Sequence, residues 1–451
     1  MNINEATPKS IASIVWPAMP TPHAASLLAM QYQLEQTEWW SAEALRKVQL
    51  DQLGLVLRHA YETIPFYRMR LSSIGYQPKN PLTAEDFARI PLLLRSDIQT
   101  QGKALLSNRP VVAHGRVSSG ITSGSTGRPI NYYGTELTGF FWQALTLREH
   151  IWHNRDIAKR MAVIRMGLQN ANHPTWGPPT DIPFVTAPCA TLDIRTDVDK
   201  QVDWLLEQRA NYLLTFPTNA RALAEACLKR GVHFDGLLEV RTLGETVDQE
   251  LRDLCREAWG VKLVDIYSAC EIGYIALQCP VNEHYHAQSE SLLVEVLDKN
   301  NQPCQAGEIG RIVVSTLHNS MMPLIRYELL DYAEVGPTCS CGRGLPVLKR
   351  IMGRQRNLVA LPDGRRYWPS TGYKEWGGRL PIRQAQIVQR SLSIVEAKLV
   401  LSRPLLPAEE TEFVTILHRS LGHPFEIIFS YHQEIPRSAG GKFEDFISEV
   451  T

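Results

Sequence analysis

Between Met161 and Tyr267 the chain alternates short apolar runs with segments of helical spacing, and this alternation is what most restricts its fold. Met161-Ala162-Val163-Ile164-Arg165-Met166 has strand length, as do the runs Asn211 to Thr218, Val240 to Thr246 and Val261 to Tyr267. Asp199 to Arg209 and Ala220 to Arg230, lying between them, have helical periodicity. Such a succession predicts a largely parallel sheet with helices on its faces. Ligands in open sheets of this kind sit at the carboxyl ends of the strands. Two of those ends carry polar pairs, Gly244-Glu245 and Cys270-Glu271.

From Ser291 to about Val335 the pattern changes. Leu292 to Leu297 and Gly310 to Ser315 are apolar runs, the first ending at the turn Asp298-Lys299-Asn300-Asn301, and they predict antiparallel strands. After Gly353-Arg354 a new β pattern begins, with an amphipathic helix near Glu409 to Ser420. The expected fold class is therefore α/β: a large domain over 1–353, with mostly parallel sheets and a small β-rich part, and a small α+β domain over 354–451. Helices are expected over Ala42 to Glu62, ending before Pro65, and over the aromatic stretch Thr135 to Trp152. Residues 1 to about 40, with two Pro-bearing stretches, read as a loosely packed lead-in.

A chain of 451 residues is too long for one ordinary core, which agrees with two domains. Lys plus Arg equal Asp plus Glu at 47 each, so no electrostatic argument for nucleic-acid or anionic-membrane partners exists. No run of eighteen apolar residues occurs, and Met1 to Pro22 lack the layout of a signal peptide, so the expected location is the cytoplasm.

Ser118-Ser119-Gly120-Ile121-Thr122-Ser123-Gly124-Ser125-Thr126-Gly127-Arg128-Pro129 has almost nothing to bury, yet it lies between ordinary strand and helix signals. Its composition alone suits a solvated linker. Its three glycines also suit a backbone that approaches a ligand closely, where successive N–H groups form a nest for anions and the hydroxyls donate to phosphate oxygens.

The order Ser-Ser-Gly-x-Thr-Ser-Gly-Ser-Thr-Gly-x-Pro resembles the phosphate loop of the adenylate-forming superfamily. Further segments resemble its phenylacetate-CoA ligase branch. These are His59 to Arg68, Phe87 to Leu93, Leu243-Gly244-Glu245, Asp265 to Gly273, Pro323 to Asp331, Gly353-Arg354-Gln355-Arg356 and Pro436 to Phe443. The resemblance implies a nucleotide site of Ser119, Thr122, Ser123, Gly124, Ser125, Thr126, Gly127, Gly244, Glu245, Asp265, Tyr267, Asp331 and Arg354. In it Tyr267 stacks on adenine, Asp331 accepts from the ribose hydroxyls, and Glu271 holds Mg²⁺ beside the phosphates. It assigns catalysis to Lys442, Glu271 and Arg354, with Lys442 as the adenylation lysine. By analogy of position the acid pocket is Trp142, Phe184, Phe216, Pro217, Ser268 and Gly273, a mixture suited to a flat aryl acid. Departures stand at Ser268, Cys270, Leu329-Leu330 and Arg356.

The implied activity is ATP-dependent conversion of a carboxylic acid to an acyl-adenylate, followed by transfer to coenzyme A. The family implies a mobile C-terminal domain and a homodimer. Transfer to a carrier protein or an amine, and an inactive nucleotide-binding homologue, are the alternatives. Cys279, Cys339 and Cys341 with His286, or His284 in its place, have the composition of a closed structural zinc site, and the family carries a similar Cys-Pro…His and Cys-x-Cys-Gly-Arg pair of segments. Three reduced thiols without metal are the alternative. Cys189, Cys227, Cys255 and Cys304 are isolated and expected to be small buried hydrophobes.

Overall fold

The computed structural model describes residues 6–122 and 129–450, apart from the side chain of Lys374. Its centre is a twelve-stranded sheet. In spatial order the strands are Leu292–Leu297, Ile309–Thr316, Tyr327–Val335, Val347–Arg354, Tyr285–Ala287, Gly273–Gln278, Lys262–Ala269, Glu239–Leu243, Tyr212–Thr215, Met161–Arg165, Cys189–Asp193 and Ala171–His173. From Lys262–Ala269 through Cys189–Asp193 neighbours run parallel. All other neighbours are antiparallel. The expected β-rich part is thus continuous with the parallel strands, and the sheet as a whole is mixed. Neighbours in space follow neighbours in sequence across much of it, but Val347–Arg354 returns to lie between Tyr327–Val335 and Tyr285–Ala287.

Helices Val198–Gln208, Pro217–Arg230 and Gln249–Trp259 cover the parallel strands, and Val202, Leu205, Leu223, Cys227, Leu251 and Cys255 form a core with Ala162, Ile164, Leu213 and Val240. Asp197 and Asp248 cap two of them by accepting amides of the first turn, Asp199 at 3.0 Å and Leu251 at 2.7 Å. Cys189, Cys227 and Cys255 are buried as expected, whereas Cys304 is only half-buried.

The lead-in expected before residue 40 is instead largely a helix, Pro22–Thr37. Thr21 caps it, Pro22 takes the first position, where its missing N–H costs nothing, and of its narrow buried stripe Ala24, Leu27, Leu34 the two leucines pack with Ala144 and Leu145 of helix Glu136–Trp152. The prolines mark where this helix starts.

Helix Glu136–Trp152 carries buried charge beneath the sheet. Glu149, fully buried, receives Arg155 through both oxygens at 2.6 Å and Arg241 at 2.6 Å, and Arg155 also pairs with Glu239 at 2.5 Å. Burial works against a charged Glu149, but Arg155 and Arg241 overcome it and hold the carboxyl well below its usual range. A second buried arginine, Arg148, bridges Glu38 at 3.2 Å and Glu290 at 2.9 Å.

After Arg354 the chain forms its own sheet in the order Glu426–Tyr431, Ile394–Leu401, Ile382–Gln389, Phe446–Ser448. Helix Pro407–Ser420 packs on it through Phe413, Ile416 and Leu417, giving a core that includes Val395, Ala397 and Phe446.

Candidate active site

The strand Glu239–Leu243 ends at Gly244, whose φ of +84° favours glycine. Glu245 follows, its side chain 4% exposed. One oxygen, Oε2, accepts the Thr218 amide of helix Pro217–Arg230 at 2.9 Å. The other, Oε1, accepts the Phe443 amide at 2.6 Å and Arg437 Nη1 at 3.4 Å. Burial pushes Glu245 up to about 7 against the opposing pull of Arg437 and the two amides.

Lys442 belongs to the same loop. Its amide donates to Ser438 Oγ at 3.1 Å, and Arg437 crosses the loop to the Gly441 carbonyl at 3.1 Å. The lysine side chain runs past Gly244, since a Cβ there would lie 3.2 Å from Lys442 Cε. Gly441, at φ +83°, has equally little room, as a Cβ would come within 2.8 Å of Met166 Cβ and 3.1 Å of the Phe216 ring. Phe216 thus forms the floor against which the loop closes.

Tyr267 lies near the end of strand Lys262–Ala269 and donates to Asp331 Oδ2 at 2.9 Å. Burial, reinforced by the Asp331 charge, holds the phenol well above its ordinary value, so it is a donor throughout the neutral range. Asp331 pairs across the sheet with Arg354, whose Nε is 3.5 Å from Asp331 Oδ1. Arg354 Nη1 continues to Glu444 at 3.8 Å, and Arg356 pairs with the same carboxylate. Arg356 therefore has an acidic partner on the segment that carries Lys442. Asp265 is placed differently: it is buried, and its two oxygens accept Thr242 Oγ1 at 2.7 Å and the Tyr285 hydroxyl at 2.8 Å. That arrangement fixes the strand beneath Tyr267.

Glu271 accepts the Tyr327 hydroxyl at 3.2 Å and lies 3.7 Å from Arg95. Arg95 also donates to Thr122 Oγ1 at 3.1 Å, and Thr122 exchanges bonds with Ile130, its hydroxyl and its amide each at 3.0 Å. Arg95 joins the base of the Ser/Gly loop to Glu271, a role that sequence reasoning missed. The only signal was its place just beyond Phe87 to Leu93. Ser119 is exposed on strand Val117–Ile121, opposite Tyr133. Ser123, Gly124, Ser125, Thr126 and Gly127 lie outside the described residues.

Of the expected acid pocket, Phe216 and Pro217 lie at the Gly244 end of the parallel strands. Trp142 stacks on Tyr274 with ring centres 6.1 Å apart, and Tyr274 pairs with Ser268 and follows Gly273. Phe184 is not brought to this place. It packs near Trp176 and Tyr212 and lines a cavity of about 850 Å³ with Arg148, Trp152, Lys262 and Arg343. Lys262 opens the strand that Tyr267 nearly closes, so this cavity belongs to the opposite end of the sheet. Position in the chain could not reveal this, because Phe184 lies in the loop after helix Pro178–Asp181 and itself bridges to Pro8.

Ligand atoms of Cys279, His284, His286 and Cys339 lie within 4.8 Å of one another. His284 Nε2 is 3.0 Å from Cys339 Sγ, and Cys341 Sγ is 3.4 Å from His286 Nε2. His286 and His284, either of which the sequence allowed, both stand in the set, and Cys341 lies at its edge beside His286. Burial opposes a charged Cys279, but hydrogen bonds from His284 and His286 win and hold that thiol far below its ordinary value. Imidazole and thiol side chains gathered in this way are a donor set that suits Zn²⁺.

The fold is that of adenylate-forming CoA ligases. A 2-hydroxyisobutyryl-CoA ligase in the postadenylation state, in complex with 2-HIB-AMP, matches with a TM-score of 0.73 at 20% identity, covering 92% of each chain. The same enzyme in the thioesterification state gives 0.62 at 21% identity with the same coverage. In sequence the chain is phenylacetate-CoA ligase-like. It is similar to phenylacetate-coenzyme A ligases of Thermus thermophilus, at 28% identity over 74% of this chain and 75% of the relative, and of Pseudomonas putida, at 24% over 73% and 74%. No protein-family profile matches.

Proposed function

We propose that this protein is an AMP-forming acid–thiol ligase that activates a carboxylic acid with ATP and passes the acyl group to coenzyme A. The observation that carries the reading is convergence. Lys442, Glu245, the Tyr267–Asp331–Arg354 line and the Glu271–Arg95–Thr122 line all lie toward the carboxyl ends of the parallel strands. In the first half a carboxylate oxygen attacks the α-phosphorus, the bond to the bridging oxygen breaks, and pyrophosphate leaves with the electron pair. Lys442, beside Gly244, supplies a cation where charge builds on those oxygens. In the second half the coenzyme A thiolate attacks the acyl carbon and AMP leaves. The unit from Arg354 to the C-terminus is the part expected to turn between the halves.

Glu271 is one carboxylate linked through Arg95 to Thr122, which suits Mg²⁺, an ion that takes one or two protein carboxylates and completes its shell with phosphate oxygens and water. Trp142 and Tyr274 favour a flat acid, so an aryl acid is the first substrate class to try. A homodimer rests on the resemblance alone, and a cytoplasmic location on the sequence reading of a chain without a membrane span or signal-peptide layout. The test is pyrophosphate release from Mg·ATP across a panel of aryl and short acyl acids, with and without coenzyme A. Release confined to one class of acid, and AMP with acyl-thioester formed on adding the thiol, is expected. ATP binding without release for any acid would leave an inactive homologue.

For the Cys279, His284, His286 and Cys339 set we propose structural Zn²⁺, with Cys341 as the alternative fourth ligand to His286. Purified protein is expected to contain about one zinc per chain by elemental analysis, and Cys339→Ser to lose most of it. Full zinc retention in that variant would refute the assignment.

A further inference from the structure

We propose that Glu245 and Arg437 form a latch that sets Lys442 for the adenylation half and must open for the thiol half. The idea rests on the ligase reading above and adds to it a positioning pair that acts through the lysine loop.

The Glu245 carboxylate is divided between two bodies. Oε2 is fixed by the Thr218 amide of the large sheet's own helix, whereas Oε1 takes both donors from the tail, the Phe443 amide at 2.6 Å and Arg437 at 3.4 Å. Arg437 is similarly shared. It donates to Thr218 Oγ1 at 2.7 Å on one side and to the Gly441 carbonyl at 3.1 Å on the other. Phe443 and Gly441 flank Lys442, so these contacts seize the loop on both sides of the lysine.

The pair is sheltered, with side-chain exposure of 21% for Arg437 and 4% for Glu245, so its attraction is little screened. Phe216 and Met166 leave no slack behind Gly441, and a shift of the loop would move Lys442 away from Gly244. Withdrawing the Lys442 loop leaves the Glu245 carboxylate, among the described residues, with Thr218 alone as hydrogen-bond donor. The closed arrangement is thereby favoured until the tail swings out as a unit.

The test separates the half-reactions in single-turnover experiments. Arg437→Gln is expected to slow acid-dependent pyrophosphate release by roughly 10- to 100-fold at saturating ATP, the cost of a charge-assisted hydrogen bond. Thioester formation from supplied acyl-adenylate and coenzyme A should stay within about twofold. Arg437→Lys should recover part of the first rate, and Glu245→Gln combined with Arg437→Gln should cost little more than either alone. Equal slowing of both halves, or a raised ATP dissociation constant with an unchanged maximal rate, would overturn the latch. A second readout is hydrogen exchange of the Lys442 and Phe443 amides, which Arg437→Gln should accelerate. If the wild type activates no acid, the ligase reading fails, and unchanged exchange in the variant would then sink the latch separately from it.

Discussion

Lys442→Ala is expected to lower carboxylate-dependent pyrophosphate release by roughly 100- to 1,000-fold, the range for losing one preorganised charge-stabilising group. The side chain reaches Gly244 without entering an ion pair among the described residues, and its backbone is fixed by Ser438. Alanine therefore removes the cation and leaves the loop closed. ATP affinity, read by titration, should change by only a few-fold, and the thiol half, started from supplied acyl-adenylate, should survive. A variant that releases pyrophosphate at the wild-type rate would remove Lys442 from the first half and leave Arg437 or Arg354 as the candidate cation.

The largest expected loss of stability follows Glu149→Gln. The substitution keeps the volume but leaves Arg155 and Arg241 buried against a neutral amide, and Glu239 satisfies only Arg155. Breaking a buried pair from one side costs about 3–5 kcal/mol, because the remaining charge has lost both its partner and its water. A denaturant series on wild type and variant at one pH reads the difference. A loss under about 1 kcal/mol would mean that water enters beside the two arginines, since the pair itself could not then be a closed network.

The regular elements were legible where periodicity was clean. Asp199 to Arg209 and Ala220 to Arg230 are helices close to the expected bounds, Val198–Gln208 and Pro217–Arg230, and the four expected strands Met161–Arg165, Tyr212–Thr215, Glu239–Leu243 and Lys262–Ala269 pair in parallel. Pro22–Thr37 was not legible, since its buried stripe is only three residues wide and the prolines before it look like breakers. The sheet's joining of parallel and antiparallel parts was also hidden, because strand length and period say nothing about which neighbour a strand chooses. At the site, short motifs led to Gly244, Glu245, Tyr267, Asp331, Arg354 and Lys442, each named through a resemblance in local order. Arg95 and Arg437 were missed as partners, as each acts across a gap of many residues, Arg95 on Glu271 and Arg437 on Glu245. His286 is preferred to His284 in the sequence only because it matches the family's pattern better, with either left open. Two residues apart on extended chain, His284 and His286 share one side, so the period of 2 by itself offers both rings to the thiols.

The return of strand Val347–Arg354 to the interior of the large sheet matters during synthesis. Tyr285–Ala287 and Tyr327–Val335 pair with each other only through it. Until residue 354 has left the ribosome, both strands offer an unpaired edge, and the partly made chain is open to pairing with its neighbours. Fragments ending anywhere between 335 and 347 should be the stickiest products of premature termination. The segment that carries Lys442 follows that strand, so it emerges onto a sheet completed just before it.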